Sequence, residues 1–363
     1  MATKYTYDPR TDLPVAPGET IREILEERGI LQADFAVRLG KTEKFVSQLV
    51  NGRASLTHDT AIELERVLGV PSSFWNKLES IYRDALAHQR QKTDAAAQAE
   101  WAKSFPLKVM ESHGWIARET GSAEQAEELL RYFGVATIDA YQDYWGADKR
   151  LAARMSTAYT AETPAITAWL RAGERQAEGI RTEPFNEAAF REVLGELRSA
   201  TSMHPEEWQP IIVKRCAAAG VAVVFVPDLP RTRCHAVSWW ANRSRAVIQL
   251  GLRYKTDDQL WFSFFHEAGH VLLDERRSGR ISDLNGDPLA EERANAFAAD
   301  FLIPPENYEA FRSQPGRLSK TSVKAFAEEI GIAPSILVGR LQREGVIPFS
   351  HMNALKTKLD WTG

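Results

Sequence analysis

The chain has 363 residues, 44% of them hydrophobic and 26% charged, enough for two or three domains with ordinary cores. Its 45 basic and 49 acidic side chains leave a formal net charge of -4, which excludes a polycation that coats nucleic acid; any DNA contact must come from a local patch. There is no apolar run long enough to span a bilayer, and the two cysteines, Cys216 and Cys234, exclude a disulfide framework, so a reducing, cytoplasmic setting is expected.

Residues 1–17 are polar, lack the apolar stretch of a secretory signal, and are expected to form a flexible lead-in. From Gly18 to about Leu86 the periodicity is that of short, punctuated helices. "ETIREILEERG" stops at Gly29, "LQADFAVRLG" at Gly40, and "TEKFVSQLVNG" has Thr42 as N-cap and Gly52 beyond its end. "HDTAIELERVLGV" is closed by Gly69, and "PSSFWNKLESIYRDALAHQRQ" forms a fifth helix. Its Phe74 and Trp75 are expected to be exposed if this region stood alone, and so to serve a dimer contact or dock onto the next helix. Residues 89–163 are Ala-, Gln- and Glu-rich and read as a helical connector. After further helix in 164–205 the character changes: "GVAVVFVPDLP" is a buried strand, and "CHAVSWWANRSRAVIQLG" is a hairpin around the polar "NRSR". "DDQLWFSFFHEAGHVLLDE" returns to helix, "LAEERANAFAADFLIP" is a second helix stopped by Pro304 and Pro305, and the remainder is helical with a turn at "IGIAPS".

Within "FFHEAGHVLLD", His266 and His270 lie one helical turn apart and point the same way, the spacing at which two imidazoles bind one zinc ion. Glu267 projects beside them as a general base within reach of water at the metal. A catalytic zinc needs a third protein ligand and one open position. Glu291, on the next helix, can supply that ligand, and Asn295, one turn later, can hold a ligand histidine by hydrogen bond. Glu292 is a rival third ligand, about 100° around the helix from Glu291, so both cannot face the metal. Gly269 inside this helix costs about 1 kcal/mol relative to Ala, which close approach of another backbone would offset. The preceding hairpin, at Val237–Trp240, is a candidate edge for an extended peptide. Cys234 and His235 precede that strand; Tyr254 and His235 are candidates for steadying an oxyanion.

"LQADFAVRLGKTEKFVSQLVNGR" has the layout of a helix-turn-helix. Gln32 opens the first helix, Ala36 is small where the helices cross, and Val46 and Leu49 face inward. Thr42, Lys44, Phe45, Ser47 and Gln48 are expected on the exposed recognition face, with Asn51 and Arg53 following near the DNA backbone. Arg38, Lys41, Lys44 and Arg53 surround one acid, Glu43, which makes a patch suited to phosphate contacts. Gln48 can read adenine and Thr42 can hold a phosphate. A protein–protein module with solvated polar residues is the competing reading, and Glu43 is its argument.

Two resemblances follow from these motifs. "WFSFFHEAGHVLLD" with "EERANAFAADFLIP" resembles the ImmA/IrrE family of metallo-endopeptidases, over roughly residues 164–355. That resemblance implies His266, His270 and Glu291 as zinc ligands and Glu267 as the base. Cys234-His235 departs from the small or hydrophobic residues expected there. Residues 18–85 are similar to repressor-type (XRE) domains, most closely the HigA-like antitoxin group, which implies binding of palindromic double-stranded operators as a homodimer. The expected fold is mainly α, of α+β class: an all-α helix-turn-helix domain (18–88), a helical connector (89–163), a gluzincin-like α+β peptidase domain (164–310) and a C-terminal helical, helix-turn-helix-like segment (311–363) expected to pack beneath it. The function these resemblances imply is a DNA-binding regulator that cleaves a repressor or antitoxin-type protein, or itself, to relieve repression. The alternative is an antitoxin-like repressor whose zinc domain is a sensor or toxin platform without turnover.

Overall fold

The structure, a computed structural model, describes residues 15–93, 95–119, 121–146, 163–230, 232, 234–252, 255–274, 288–313 and 318–360. The chain divides into two compact units, residues 1–98 and 99–363. Among the described residues no helix is long and apolar enough to cross a membrane.

The first unit is all helical: α1 (Pro17–Glu27), α2 (Gln32–Leu39), α3 (Glu43–Val50), α4 (His58–Leu68) and α5 (Ser72–Thr93). The first four helices are only 8–11 residues long, so they are held by their buried faces rather than by propensity. Those faces meet in one core containing Ile21, Leu25, Phe35, Val46, Leu49, Leu64 and Trp75. The turn between α2 and α3 is made by Gly40 at φ 66°, a left-handed backbone that glycine adopts without a Cβ penalty. Thr42 then caps α3, its Oγ1 accepting from Phe45 N at 3.2 Å. Trp75 is not exposed as expected: it is fully buried in this unit's own core and its Nε1 donates to Val70 O at 3.1 Å, while Phe74 remains exposed. The indole finds both an apolar site and a partner for its one polar atom within the unit.

The second unit centres on a three-stranded sheet of β1 (Val221–Phe225), β2 (Ala236–Asn242) and β3 (Arg245–Leu250), ordered β1-β3-β2. β2 and β3 form the expected antiparallel hairpin; β1 runs parallel to β3. Alternate residues face two cores. Ala222, Val224, Val237, Trp239 and Val247 meet one; Val221, Val223, Trp240, Ile248 and Leu250 meet the other. Burial on both faces is why β1 reads as an unbroken apolar run rather than an alternating one.

The first core is roofed by α6 (Ala95–Lys103), α7 (Leu107–Ser112), α8 (Ser122–Phe133), α9 (Ile138–Tyr141) with a π-helical turn over Gln142–Gly146, and α10 (Thr163–Glu178). Phe105, Met110, Leu129, Phe133, Tyr141 and Trp169 share it with the sheet. The described part of the stretch read as a connector thus contributes aromatic mass to the sheet's packing. The opposite core is built by α11 (Glu187–Ala200), α12 (Pro205–Ala218), α13 (Asp257–Leu273), α14 (Pro288–Leu302), α15 (Pro305–Arg312), α16 (Lys320–Glu329) and α17 (Pro334–Arg343). Trp261, Phe264, Phe265 and Ala268 make α13 apolar on most of its circumference, as a central helix must be.

The C-terminal helices with helix-turn-helix spacing pack in this core through Val323, Phe326, Ile336, Leu337 and Leu341. They also tie down the start of α13. Asp257 accepts from Ser335 Oγ at 2.7 Å and Thr357 N at 2.9 Å, and Asp258 pairs with Lys356 at 2.7 Å, both side chains nearly enclosed.

Candidate metal centre and nucleic-acid interface

α13 and α14 pack side by side, and Gly269 sets how closely. A Cβ there would stand 3.1 Å from Phe297 Cδ1 and 3.2 Å from Ala294 Cα. This is the backbone approach expected from a glycine in mid-helix, and it brings Glu291, one turn before Ala294, over the two histidines.

His266 Nε2 and His270 Nε2 lie 3.1 Å apart, and the Glu291 carboxylate presents Oε2 to the first at 3.4 Å and Oε1 to the second at 3.3 Å. The two His–Glu distances match the edge of about 3.3–3.4 Å in a tetrahedron of ligands with bonds of about 2.0–2.1 Å, and the His–His distance of 3.1 Å is slightly shorter. The outer ring nitrogens are also engaged. His266 Nδ1 donates to Asn295 Oδ1 at 3.2 Å, and His270 Nδ1 donates to Asp274 Oδ2 at 2.7 Å. With the protons on Nδ1, two Nε2 lone pairs and a carboxylate converge on one point, an arrangement able to hold a cation. Among the described residues these three side chains form the His/Cys/Asp/Glu group able to hold a metal ion, and Cys234 and His235 are not in it.

Glu292 turns away from this point and lines a neighbouring cavity. Glu267 is buried, and its Oε2 accepts from Ser238 Oγ on β2 at 2.7 Å. β2 lies at the edge of the sheet, paired with β3 alone among the described strands. Val237 and Trp239 point away from α13 into the sheet's other core, and Ser238 points toward it. His235 is anchored through its carbonyl, which accepts from Gly251 N at 2.7 Å, and the Cys234 thiol donates to Ala236 O at 3.2 Å. Tyr254 lies outside the described residues.

Three residues of this constellation were missed in the sequence. Asp274 had a usable signal, an acid one turn beyond His270. Ser238 had a weaker one, a polar residue between apolar neighbours on the strand. Arg343, whose Nη2 donates to the same Asn295 oxygen at 3.1 Å, comes from 48 positions along the chain and had none.

In the first unit Gln32, Thr42, Lys44, Ser47, Gln48, Asn51 and Arg53 are exposed, and Val46 and Leu49 are buried. Two expected contact residues differ. Phe45 is half-buried against the core, and Lys41 is held by Glu63 at 2.9 Å with its ammonium 5.9 Å from the Phe45 ring. Asn51 is engaged at the end of α3: its Nδ2 donates to Ser47 O at 2.7 Å and its Oδ1 accepts from Arg22 at 3.4 Å. Lys44, Ser47 and Gln48 are exposed along α3, with Ser47 also met by Asn51 Nδ2.

Residues 21–75 match the helix-turn-helix family, and residues 216–342 match the IrrE N-terminal-like domain. An uncharacterized HTH-type transcriptional regulator, YddM, of Escherichia coli (strain K12) is 30% identical over 80 residues, which span 22% of this chain and 83% of that protein. Among solved structures, a putative antidote protein of a plasmid maintenance system from Nostoc punctiforme is 34% identical, covering 23% of this chain and 91% of that one at a TM-score of 0.22. PA4674 of Pseudomonas aeruginosa, solved in complex with its operator DNA, is 33% identical, covering 21% of this chain and 84% of that one at a TM-score of 0.21. The chain belongs, through its first unit, to the helix-turn-helix family of transcriptional regulators, and joins to it an IrrE N-terminal-like domain.

Proposed function

We propose that the second unit is a zinc-dependent endopeptidase and that the first directs it to transcriptional control by binding operator DNA, as a homodimer on a palindromic site. The observation that carries the reading is the convergence of His266 Nε2, His270 Nε2 and the Glu291 carboxylate within 3.1–3.4 Å of one another, beside a buried glutamate and a sheet edge. Zinc would be held by those three side chains and, when bound, would supply Lewis acidity toward water and toward a peptide carbonyl. Glu267 takes the proton of the attacking water and returns it to the departing amine as the C–N bond breaks. Ser238 steadies the Glu267 carboxylate for both transfers. An extended substrate pairs along β2, which sets its backbone beside Glu267. A repressor or antitoxin-type protein, or the chain itself, is the substrate this combination supports, because the same chain carries a DNA-binding domain whose regulation such a cut would change.

The test is to incubate the zinc-loaded protein with proteins encoded beside its own gene, and with itself, and to compare Glu267→Gln. One of these proteins should be cut by wild type and left whole by the variant, which still carries about one zinc per chain. Cleavage that persists in Glu267→Gln, or zinc-loaded wild type that cuts none of them, sinks the reading; the second result would leave a metal-holding platform.

A further inference from the structure

Beside the metal centre, between α13, α14, α17 and the segment 349–358, lies a cavity of about 970 Å³. Its size is that of a small-molecule site. Its floor is apolar, formed by Leu302, Ile303 and Ile336 with Phe262 on one wall and Phe349 at the rim. Phe349 is 71% exposed, an unusual setting for so large an apolar side chain and one that a ligand's apolar body would cover.

The charges around the cavity are mostly spoken for. Lys356 pairs with Asp258, and Arg340 pairs with Glu344 while capping α14 through the carbonyls of Ala299 and Ile303. Arg343, Lys358 and Glu292 remain at the rim, a balance of two cations to one anion. Arg343 is the best placed of the three. Its guanidinium lies 4.6 Å from the centre of the Phe262 ring and gives one hydrogen bond, to Asn295 Oδ1, and it meets no carboxylate among the described residues. Most of its five N–H donors are therefore uncommitted, on a planar fork that matches a carboxylate and is held in place by the ring beneath it.

We propose that this cavity binds a small carboxylate with an apolar body, its charge seated on Arg343 with Lys358 alongside and its body on Phe262, Ile336 and Phe349. The seat is one residue removed from the metal centre, since the Asn295 oxygen that Arg343 touches also accepts from His266 Nδ1. The chemistry fits either a free acid or the C-terminal carboxylate of a peptide. Binding in this cavity does not depend on peptidase activity.

Calorimetry on the full-length, zinc-free protein tests it, with N-acetyl-leucine as the probe and its uncharged methylamide as the control. The acid should bind saturably, the methylamide at least tenfold more weakly, and Arg343→Gln should weaken acid binding at least tenfold with unchanged circular dichroism. Lys358→Ala, at an exposed position, should weaken it several-fold. N-acetyl-Ala-Ala-Leu distinguishes the sources: tighter binding than the single residue identifies a peptide C-terminus, and equal or weaker binding a free acid. Absence of binding at millimolar probe, equal binding of acid and methylamide, or full affinity in Arg343→Gln overturns the proposal.

Discussion

Ser238 Oγ donates to Glu267 Oε2 at 2.7 Å, joining the edge strand of the sheet to the glutamate beside the paired histidines. A hydrogen bond to a charged acceptor is worth about 1.5–3 kcal/mol, and here it also fixes which way a buried carboxylate points. Ser238→Ala should lower kcat roughly tenfold or more, since about 1.4 kcal/mol corresponds to one decade in rate. Zinc content should not change, and Ser238→Thr should recover much of the loss. Unaltered turnover in Ser238→Ala would remove the serine from the mechanism.

The two oxygen atoms behind the histidines make a separate prediction. Asn295→Ala and Asp274→Ala should each weaken zinc binding by about 10- to 100-fold, because each releases the Nδ1 that orients a ligand ring. Competition with a chromophoric chelator measures this directly. Stripping the metal from wild type should also lower the melting temperature, since an ion present at about 1,000 times its Kd stabilises the fold by about 4 kcal/mol. Equal melting curves with and without zinc would argue against zinc binding to the folded chain.

Gly269 tests how α13 and α14 fit together. Alanine would gain about 1 kcal/mol of helix propensity, but its Cβ would meet the Ala294 backbone at 3.2 Å, which cannot rotate aside. We expect Gly269→Ala to be neutral to mildly destabilising and Gly269→Val to cost about 1–3 kcal/mol, as overpacking does. Both should weaken zinc binding, because separating the helices carries Glu291 away from the histidines. Chemical denaturation and zinc titration of the two variants decide this.

Asp257 supplies a pH signature. Burial, the leading cause, holds its carboxyl above the ordinary range despite hydrogen bonds from Ser335, Thr357 and Asp258. The folded state therefore keeps the proton more tightly than the unfolded chain. Its contribution to stability is fully present below the unfolded carboxyl pKa of about 3.9 and is lost as pH rises through the raised folded value. Asp257→Asn can keep the same contacts, its amide donating to Ser335 Oγ, and should be free of that loss. Melting temperatures of the two proteins should diverge in the variant's favour as pH rises above the unfolded carboxyl value of about 3.9; parallel curves would contradict this.

On the DNA side, Lys44→Ala should weaken operator binding about equally for all sequences and reduce the slope of log K against log salt by about 1. Gln48→Ala should instead relax preference at one base pair, by about 1–3 kcal/mol. Lys41→Ala should do less than Lys44→Ala, since the Lys41 ammonium is already committed to Glu63. Binding titrations against the chain's own promoter at several salt concentrations separate the three.

Much of this molecule was legible in its sequence. Capping residues and left-handed glycines punctuate the first unit because their backbone demands are local, and Thr42 and Gly40 occupy the positions their residue types suggest. His266, Glu267 and His270 share a helix, so helical geometry alone sets their relationship. The sequence favoured Glu291 through its resemblance and left Glu292 as a rival; which of the two faces the histidines depends on how α14 is rotated against α13, where Gly269 meets Ala294. Trp75 went inward because a core was waiting for it, which no local periodicity reports. Asp274, Ser238 and Arg343 joined the centre from a helix end, a strand and a remote helix. Local geometry is written in short-range spacing and can be read there. Which face of one element meets which face of another is settled by packing of the whole unit, and only the tertiary structure decided it.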